Sequence, residues 1–433
     1  MNYEQTIEYL YNQLPMFSRM GSAAFKKDLT NIRILCERLD NPHTKFKSIH
    51  VGGTNGKGSV SHMLAAIFQT AGYKTGLYTS PHLYDFRERI RVNAEMVDKD
   101  FVVEFVQKVK PWMEEIQPSF FEITVAMAFE YFARHQVNIA IVEVGLGGRL
   151  DSTNIITPEL SIITNIGWDH MNMLGDSLDK IAFEKAGIIK ESVPVVIGEM
   201  LPETETVFKQ IASDRNAELY DASFHFKPVH YELANDLLHI TYEQATQLSI
   251  KTSTDLPGIY QLKNVATTLM AISILKQNNW KIDIKSVEAG LNNVKKLTGL
   301  HGRWEVISKD PTIVLEVAHN KNGIQQMLQH IEQLLVNELH IIIGTVKDKD
   351  VEAILELLPP KAKYYFTQAH IPRALNKEEL QLKAMLFKLH GDIYHDVNTA
   401  LQAAKENAAI NDLIVVCGSI FLVAEVDRSG FRI

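Results

Sequence analysis

The sequence predicts an α/β fold in two domains, each built on a sheet of mostly parallel strands. Three observations support this. Short apolar runs typical of strands buried on both faces, such as 139–142, alternate with helical segments. Polar residues follow the strand ends, where a parallel sheet holds its ligand. The alternation is interrupted near residue 215 and resumes after 297, which indicates a larger domain over 1–296 and a smaller Rossmann-like domain over 297–433.

The stretch 49–60 carries the most informative local signal of the first domain. It reads as a short strand, a turn with four glycines within the seven residues from Gly52 to Gly58, and the start of a helix. Glycine lets backbone N–H groups approach an anion, the helix N-terminus adds positive potential, and Lys57 adds a mobile cation. The hydroxyl of Ser59 is a candidate ligand for Mg²⁺. The stretch therefore predicts a site for a polyphosphate.

The spacing departs from the common phosphate-loop pattern, GxxxxGK followed by Ser or Thr. Val51 stands in the place of the first glycine, and Gly58 separates Lys57 from Ser59. An ordinary tight turn between strand and helix is the alternative interpretation. Such a turn has no use for this glycine density together with a lysine, so we interpret the first domain as a P-loop ATPase domain.

Further elements follow from hydrophobic periodicity and from Pro and Gly positions. Helices are predicted over 28–39, 120–135, from 178 and over 259–276, and the segment 100–135 is predicted to be helical with breaks at Pro111 and Pro118. Strands are predicted over 75–79, 139–142, 160–166, 195–197, 313–317, 340–344, 362–366 and 413–417, with hairpins between 215 and 256 and a linker over 297–302.

Composition limits the class of protein. The chain has 433 residues, 46% of them hydrophobic and 22% charged, with a formal charge of −8, so no nucleic-acid partner is expected. No apolar run is long enough to cross a membrane, and the N-terminus has no signal-peptide pattern. Cys36 and Cys417 are expected to be buried free thiols, which fits a cytoplasmic location. Without a cysteine cluster, no zinc site is expected.

Three polar residues are predicted to converge at one sheet edge. Ser80, Glu143 and His170 each follow an apolar strand, and parallel strands bring their carboxyl ends together. A bound nucleotide needs Mg²⁺ to neutralise charge during phosphoryl transfer, and oxygen ligands suit that ion. The alternatives are a turn residue for Ser80, a surface carboxylate for Glu143 and a helix cap for His170. The segment 85–91, rich in arginine, is either a mobile loop facing anionic groups or a solvated turn.

The order of the motifs resembles the folylpolyglutamate synthase and dihydrofolate synthase family of the Mur-ligase superfamily. The likeness spans nearly the whole chain, and the ordered set is specific although each motif alone is weak. The motifs are the phosphate loop 49–59, followed by 78–83, 143–151, 164–170, 184–190, 301–303, 318–320, 347–350 and 418–419.

The resemblance implies an ATP-dependent acid–amino-acid ligase. The substrate carboxylate attacks the γ-phosphate of ATP to give an acyl phosphate, and the amino group of L-glutamate then displaces phosphate. Positions that hold Mg²⁺ in the family match Ser80, Glu143 and His170, together with Lys185, which is carbamylated in the family. A carbamate would turn a repelled ammonium into an anionic ligand. With Lys57, the residues Glu143, His170 and Lys185 form the implied catalytic set.

The resemblance also implies binding residues. Those for ATP are Gly53, Thr54, Asn55, Gly56, Lys57, Gly58, Ser59, Asn264, Arg303, Glu316 and His319. Those for the pterin substrate are Phe121, Glu122, Thr124, Arg149 and Asp151, with core packing and loop salt bridges as the alternative roles. An N-terminal loop around residues 16–25 is expected to shape the same pocket.

The chain departs from the family at four positions. The family usually has Asp where this chain has Glu316, Pro where it has Lys321, and His where it has Tyr260. It more often has Ala where this chain has Ser152. None of these positions belongs to the implied metal set.

Two alternative functions remain at this point. A cell-wall Mur ligase usually carries an extra N-terminal domain, for which the roughly fifty residues before the loop are too few. Gly58 after Lys57 also favours the folate branch. A non-catalytic nucleotide-binding regulator would lack the metal and acyl-phosphate groups. The expected substrates are tetrahydrofolate or dihydropteroate and L-glutamate, and the chain is expected to act as a monomer.

Overall fold

The computed structural model describes residues 1–16, 21 and 28–431 of the chain. These residues fall into two compact units, one formed by Met1–Pro257 with Gln261–Leu300 and the other by Gly258–Tyr260 with His301–Ile433. The sequence placed the boundary before Leu297, which lies in the helix Val294–Thr298. The assignment of an ATP-binding and a ligase role to separate domains stays a prediction.

The N-terminal unit is built on a sheet in which eight described strands have the order β4-β3-β2-β5-β1-β6-β7-β8. The six strands β2, β5, β1, β6, β7 and β8 pair with their neighbours in parallel. At the edge, β3 pairs antiparallel with β2, and β4 pairs antiparallel with β3. The predicted, mostly parallel sheet is confirmed. The strands are β1 Lys47–Gly52, β2 Thr75–Tyr78, β3 Ile90–Val92, β4 Glu95–Met96, β5 Ile139–Glu143, β6 Leu160–Ile163, β7 Val195–Ile197 and β8 Leu219–Asp221.

Helices cover both faces of this sheet, so its central strands are buried along their whole length. Many helices begin at a polar cap; Ser119, for example, forms a capping box with Glu122 at the start of Phe120–Arg134. The helices are Tyr3–Gln13, Thr30–Arg38, Lys57–Thr70, Lys99–Ile116, Phe120–Arg134, Met171–Leu174, Leu178–Ala186, Pro202–Asp214, Ala222–His225, Gln261–Gln277, Ile284–Leu291 and Val294–Thr298, with short 3-10 turns at Pro42–Thr44, Phe86–Arg89 and Ser152–Ile155.

One local prediction for this unit is wrong. Pro111 does not end a helix, because Lys99–Ile116 continues through it with one apolar face that is buried from Phe101 to Ile116. Burial of that face outweighs the hydrogen bond that proline removes. The predicted break at Pro118 is confirmed.

The arginine-rich segment 85–91 is a turn, as one of the two interpretations predicts, but part of it is buried. It forms the turn Phe86–Arg89 and enters β3. Arg89 is only 7% exposed, and its Nε donates to Nδ1 of His82 at 2.8 Å. Burial and this guanidinium lower the pKa of His82 to about 3.

The predicted hairpins form a separate antiparallel sheet in the order β11-β10-β9, with β9 Phe226–Ala234, β10 Leu237–Gln244 and β11 Ser249–Thr254. In the described part of the chain, no helix is long and apolar enough to cross a membrane.

The second unit contains a mixed sheet in the order β12-β13-β17-β14-β15-β16, parallel except for the edge pair β12 and β13. This confirms the predicted smaller α/β domain. Both thiols are free and buried as expected, Cys417 in β17 and Cys36 in the first unit. The strands are β12 Glu305–Lys309, β13 Thr312–Leu315, β14 Leu339–Ile343, β15 Lys363–Phe366, β16 Gly391–Ile393 and β17 Leu413–Cys417, and the helices are Lys321–Ile331, Val351–Leu355, Lys377–Met385, Val397–Asn407 and Ile420–Ala424.

Candidate active site

Four neighbouring parallel strands, β2, β5, β1 and β6, end at one edge of the large sheet. Ser80 follows β2, Glu143 closes β5, the phosphate loop follows β1, and His170 lies beyond the end of β6. The backbone N–H of Ser80 donates to Oε2 of Glu143 at 3.1 Å. The structure therefore joins two of the three predicted metal residues directly, and topology directs the third segment to the same edge.

Glycine is required at two positions of the phosphate loop. Gly53 has φ +137°, and a Cβ there would lie 1.9 Å from Oγ1 of Thr164. Gly56 caps the helix Lys57–Thr70 with φ +85°, and a Cβ there would lie 2.3 Å from Oδ1 of Asn264. Both the backbone angle and the neighbouring side chain exclude larger residues. The loop brings its N–H groups to the helix N-terminus, where they favour an anion.

Two lysines converge on the same carbonyl of this loop. Nζ of Lys57 lies 3.1 Å from the carbonyl oxygen of Gly53 and 3.0 Å from that of Thr54. Nζ of Lys185 donates to the Gly53 carbonyl at 2.8 Å, although Lys185 lies far along the chain and is only 4% exposed. The arrangement concentrates positive charge beside the loop, which suits bound phosphate and also favours removing the charge of one amine.

The strand-end segment 164–167 holds the loop in shape. The N–H of Thr54 donates to the carbonyl of Asn165 at 2.9 Å, and the N–H of Asn55 donates to Oδ1 of the same residue at 2.8 Å. Oγ1 of Thr164 donates to the carbonyl of Asn55 at 2.6 Å. The sequence singled out this segment as a motif but missed this role of Thr164 and Asn165.

A chain of side-chain amides supports the start of the loop helix. Nδ2 of Asn264 donates to Oε1 of Gln261 at 2.7 Å, and Nε2 of Gln261 donates to Oγ of Ser59 at 3.2 Å. Ser59 is 1% exposed, so its hydroxyl is enclosed by protein. The structure thus places Asn264 against Gly56, and Gln261 supports the start of the helix, a role that the sequence did not predict.

His170 has a left-handed backbone, with φ +51°, and precedes the short helix Met171–Leu174. Its N–H donates to Oδ1 of Asp169 at 2.9 Å, and its Nε2 lies 3.7 Å from the same oxygen. The helix-cap alternative therefore describes its backbone, while its ring is paired with a carboxylate that can orient it.

Three predicted pterin residues lie at the start of the helix Phe120–Arg134. The half-buried ring of Phe121 covers Gly145, where a Cβ would lie 2.5 Å from the ring. Oε2 of Glu122 accepts from the N–H and Oγ of Ser119 at 2.7 and 2.9 Å. Oγ1 of Thr124 is 3.1 Å from Oη of Tyr78. Phe121 and Thr124 thus lie close to the carboxyl ends of β5 and β2.

The other two predicted pterin residues make contacts within the protein. Arg149 forms an ion pair with Glu184 at 2.8 Å. The buried carboxylate of Asp151 accepts from the N–H of Leu146 at 2.9 Å and from the N–H of Thr153 at 3.0 Å, and burial raises the pKa of Asp151. Both residues shape the loop 144–151. Residues 17–20 and 22–25 of the predicted N-terminal pocket loop lie outside the described residues.

Two cavities lie beside the helix Leu178–Ala186, and the smaller one also adjoins this loop. One of about 160 Å³ is lined by Leu146–Leu150, Met173, Leu174 and Glu184, and one of about 450 Å³ lies among Met173, Asp179, Phe183 and Val207. Both are bordered by the helix that carries Lys185.

In the second unit, two of the departures from the family pattern touch each other. Oη of Tyr260 donates to Oε2 of Glu316 at 2.5 Å, and the N–H of Trp304 donates to the same oxygen at 2.9 Å. Burial raises the pKa of Glu316. Nη1 of Arg303 donates to the carbonyl of Gly302 at 3.3 Å, and the half-buried His319 has Nδ1 2.9 Å from the Val317 carbonyl.

A phosphate loop, two converging lysines and a carboxylate at one edge of a parallel sheet define a nucleotide-using enzyme. Comparison with known proteins gives the class. The Mur ligase middle domain matches residues 51–272, and the Mur ligase glutamate ligase domain matches residues 302–420. The chain is thus an ATP-dependent acid–amino-acid ligase of the Mur type.

Individual relatives narrow this class. A dihydrofolate synthase/folylpolyglutamate synthase of Bacillus subtilis is 34% identical over 417 residues, which cover 93% of this chain and 95% of that protein. The structure of Escherichia coli FolC with DHPP and ADP is 28% identical, with a TM-score of 0.84 and 98% and 96% of the two chains covered. A Yersinia pestis bifunctional folylpolyglutamate synthase/dihydrofolate synthase with AMPPNP and Mn ion is 27% identical, with a TM-score of 0.82 over 98% and 97%. The chain belongs to the folylpolyglutamate synthase and dihydrofolate synthase family.

Proposed function

We propose that this chain joins L-glutamate to the carboxylate of a folate-type acceptor, tetrahydrofolate or dihydropteroate, through an acyl phosphate. A carboxylate oxygen of the acceptor forms a bond to the γ-phosphorus of ATP, and ADP leaves. The amino nitrogen of glutamate then bonds to the acyl carbon, phosphate leaves, and the nitrogen loses a proton. The observation that carries the proposal is the meeting of Lys57 and Lys185 at the Gly53 carbonyl, on the edge that also holds Glu143.

Each part of this edge has a role in the proposal. The N–H groups of the loop and the ammonium of Lys57 bind the phosphates and counter the charge that develops during transfer. Thr164 and Asn165 keep the loop rigid, so little reorganisation is needed when the nucleotide binds. The roles of Asn264, Arg303, Glu316 and His319 as nucleotide contacts stay predictions.

The donor set at the edge fits Mg²⁺. Glu143 supplies a nearly buried carboxylate, which also accepts a hydrogen bond from the N–H of Ser80. Ser80 supplies a hydroxyl, and His170 and a carbamylated Lys185 complete the proposed set. When bound, the ion neutralises phosphate charge and orients the oxygens of the transferred group. Carbamylation also relieves the repulsion between two amines that donate to one carbonyl.

Acceptor binding is proposed at the ends of β2 and β5. The ring of Phe121 offers a flat apolar surface to a pterin, and Glu122 and Thr124 offer polar atoms beside it. Arg149 and Asp151 act more indirectly, because both are engaged within the loop 144–151.

The decisive experiment measures phosphate release and product mass with purified protein, ATP, Mg²⁺ and L-glutamate. Tetrahydrofolate and dihydropteroate are offered in parallel. Glutamylated product is expected with at least one acceptor, and the comparison shows whether one or both activities are present. The absence of product with every folate and pteroate acceptor would contradict the proposal.

We also propose that the chain acts as a monomer in the cytoplasm. Two buried free thiols, Cys36 and Cys417, support a reducing compartment. Sedimentation of the purified protein at several concentrations tests the monomer, and a concentration-dependent dimer would contradict it.

A further inference from the structure

Three side chains with metal-binding atoms meet at the amino ends of two central strands of the second sheet. His340 lies in β14 next to its first residue, Glu338 precedes that strand, and Asp412 immediately precedes the neighbouring parallel strand β17. One ligand atom from each residue lies within 4.8 Å of the other two. Glu316 and His319 follow β13 at the opposite, carboxyl edge of this sheet, so the cluster is separate from the residues assigned to the nucleotide.

The histidine of this cluster is fixed in orientation. Its side chain is 0% exposed, Nδ1 lies 2.9 Å from Oη of Tyr365, and the two rings stack with centroids 5.8 Å apart. Within residues 1–16, 21 and 28–431, Nε2 of His340 makes no hydrogen bond. That nitrogen faces Oδ2 of Asp412 at 3.5 Å and Oε2 of Glu338 at 3.9 Å. A buried polar atom without a hydrogen bond is costly, so its position needs an explanation.

The two distances suit a shared cation better than a direct hydrogen bond. Protein N–H···O bonds usually span about 2.7–3.2 Å, shorter than both separations. A tetrahedral zinc ion with bonds of about 2.0–2.2 Å to nitrogen and oxygen holds its ligands roughly 3.4 Å apart. The observed 3.5 and 3.9 Å approach that spacing.

The carboxylates are held in place, one of them firmly. Asp412 is 4% exposed, and its carboxylate accepts from the N–H of Ala409 at 2.7 Å and from the N–H of Glu338 at 3.2 Å. The side chain of Glu338 is 41% exposed and pairs with Nζ of Lys363 at 2.7 Å through the oxygen that faces His340. Lys363 is 46% exposed and has a flexible stem, so its ammonium can leave that oxygen.

We propose that Glu338, His340 and Asp412 form a binding site for a divalent transition-metal ion of the zinc type. A neutral imidazole and two carboxylates are ordinary zinc ligands, and three protein ligands leave a fourth position for water. The bound ion ties the amino ends of β14 and β17 together. Cysteine spacing could not reveal this site, because its ligands are a histidine and two carboxylates from the ends of two strands that lie far apart in sequence.

The test is a calorimetric titration of the full-length protein with Zn²⁺, in excess Mg²⁺ to fill oxygen-rich sites. The wild-type protein is expected to bind one ion at this site, and Glu338→Gln, which removes a ligand charge at a partly exposed position, should weaken binding by at least about tenfold. Lys363→Met should tighten binding, because it removes the ammonium that competes for Glu338. Glu378→Gln, at an exposed glutamate on the helix Lys377–Met385, serves as the matched control and should leave the affinity unchanged.

Thermal unfolding supplies a second measurement. Zn²⁺ should raise the melting temperature of wild type and of Lys363→Met more than that of Glu338→Gln. The proposal fails if wild type binds no Zn²⁺, or if Glu338→Gln binds it as tightly as wild type. It also fails if Zn²⁺ binding is lost in Glu143→Gln and kept in Glu338→Gln, which would place the ion at the catalytic edge. If the variants change only the pH dependence of unfolding, a proton on His340 occupies the site instead, and the metal assignment is wrong.

Discussion

At the scale of single residues, the amine of Lys185 has an unusual position for a lysine. It is buried, it lies far from the phosphate loop in sequence, and yet it donates to the carbonyl of Gly53. Lys180 stands on the same helix but is exposed and pairs with Asp176. Lys185 is buried and contacts the phosphate loop, whereas Lys180 is exposed and does not. The two lysines therefore form a matched pair for mutagenesis.

Lys185→Ala should abolish ligation and leave the fold intact, because it removes the proposed carbamate from the metal site. The expected loss in kcat is on the order of 10²–10³ or more, as for the removal of other preorganised electrostatic groups. Lys180→Ala is the control and should keep full activity. Phosphate release and circular dichroism are the measurements, and full activity of the Lys185 variant would overturn its assignment. Loss of wild-type activity in bicarbonate-free buffer, with recovery on adding bicarbonate, would support the carbamate.

Glu143→Gln should be at least as damaging as Lys185→Ala. The amide keeps the size of the side chain but removes the negative charge of a carboxylate that is only 5% exposed. Raising the Mg²⁺ concentration should restore part of the rate if the charge serves the ion. Glu159→Gln, at a carboxylate just before β6, is the comparison and should leave the rate unchanged. A mild effect of Glu143→Gln at every Mg²⁺ concentration would show that the metal is held elsewhere.

Tyr260 and Glu316 differ from the family pattern together, and their contact gives a physical reason. Glu316→Asp shortens the side chain by one methylene and Tyr260→His changes its partner, so each single change should weaken the contact by about 1–3 kcal/mol. The double variant restores the pair that the family usually has and should be less destabilised than the sum of the single changes. Unfolding free energies and the KM for ATP of the four proteins form the cycle. Strict additivity would mean that the two positions are independent.

At the scale of the element, the shape of the phosphate loop requires glycine at positions where a Cβ atom would clash. Gly56 and Gly72 share a φ of +85°, but only Gly56 has a side chain in the way, because no described atom lies within 4 Å of a Cβ at Gly72. Alanine at Gly72 would therefore report backbone strain alone, whereas alanine at Gly56 would add the steric conflict with Asn264.

Gly56→Ala should weaken ATP binding and lower stability by more than Gly72→Ala does. Both variants carry the strain of a left-handed alanine, about 1–2 kcal/mol, but the added Cβ at Gly56 must also displace Asn264 and with it Gln261. Nucleotide affinity and melting temperature distinguish the two effects. Equal losses of ATP affinity in the two variants would show that Asn264 does not support the loop.

At the same scale, sequence patterns predicted what is local. The strand, turn and helix of 47–70, the strand-end positions and the break at Pro118 follow from residue type and spacing, and they are observed. Pro111 does not break its helix because tertiary burial overrides local preference, and the burial of Arg89 next to His82 is likewise not visible in the local sequence.

At the scale of the whole molecule, buried histidines link stability to pH. Burial lowers the pKa of His50 and His82 to about 3 and that of His330 to about 4, from an ordinary value of 6.5. Above pH 6.5 these rings are neutral in both the folded and the unfolded chain. Below pH 6.5 these histidines bind protons in the unfolded chain but stay neutral in the folded chain. The free energy of unfolding therefore decreases as the pH falls from 6.5 towards the folded pKa values.

His330→Leu should reduce this acid sensitivity. His330 lies edge-on to Trp304 with ring centroids 4.2 Å apart, and neither ring nitrogen has a hydrogen-bond partner among the described residues. Each pH unit of the interval corresponds to about 1.4 kcal/mol for one such group, so the variant should gain up to roughly 3 kcal/mol over wild type between pH 7 and pH 4. Melting curves across this range provide the measurement, with the exposed His230→Leu as control. A constant difference at every pH would contradict the linkage.

The sequence by itself determined the alternating α/β order, the phosphate loop and the residues that follow strand ends. Each of these features depends on the types and spacing of residues that are neighbours in the chain. Its resemblance to the family named the reaction class, which the comparisons bear out. Only the tertiary structure decided that Lys57 and Lys185 share one carbonyl, that Asn165 and Gln261 support the loop, that Tyr260 contacts Glu316, and that Glu338, His340 and Asp412 form a cluster. These contacts join residues distant in the chain, and sheet order and helix packing, not local pattern, set which of them meet.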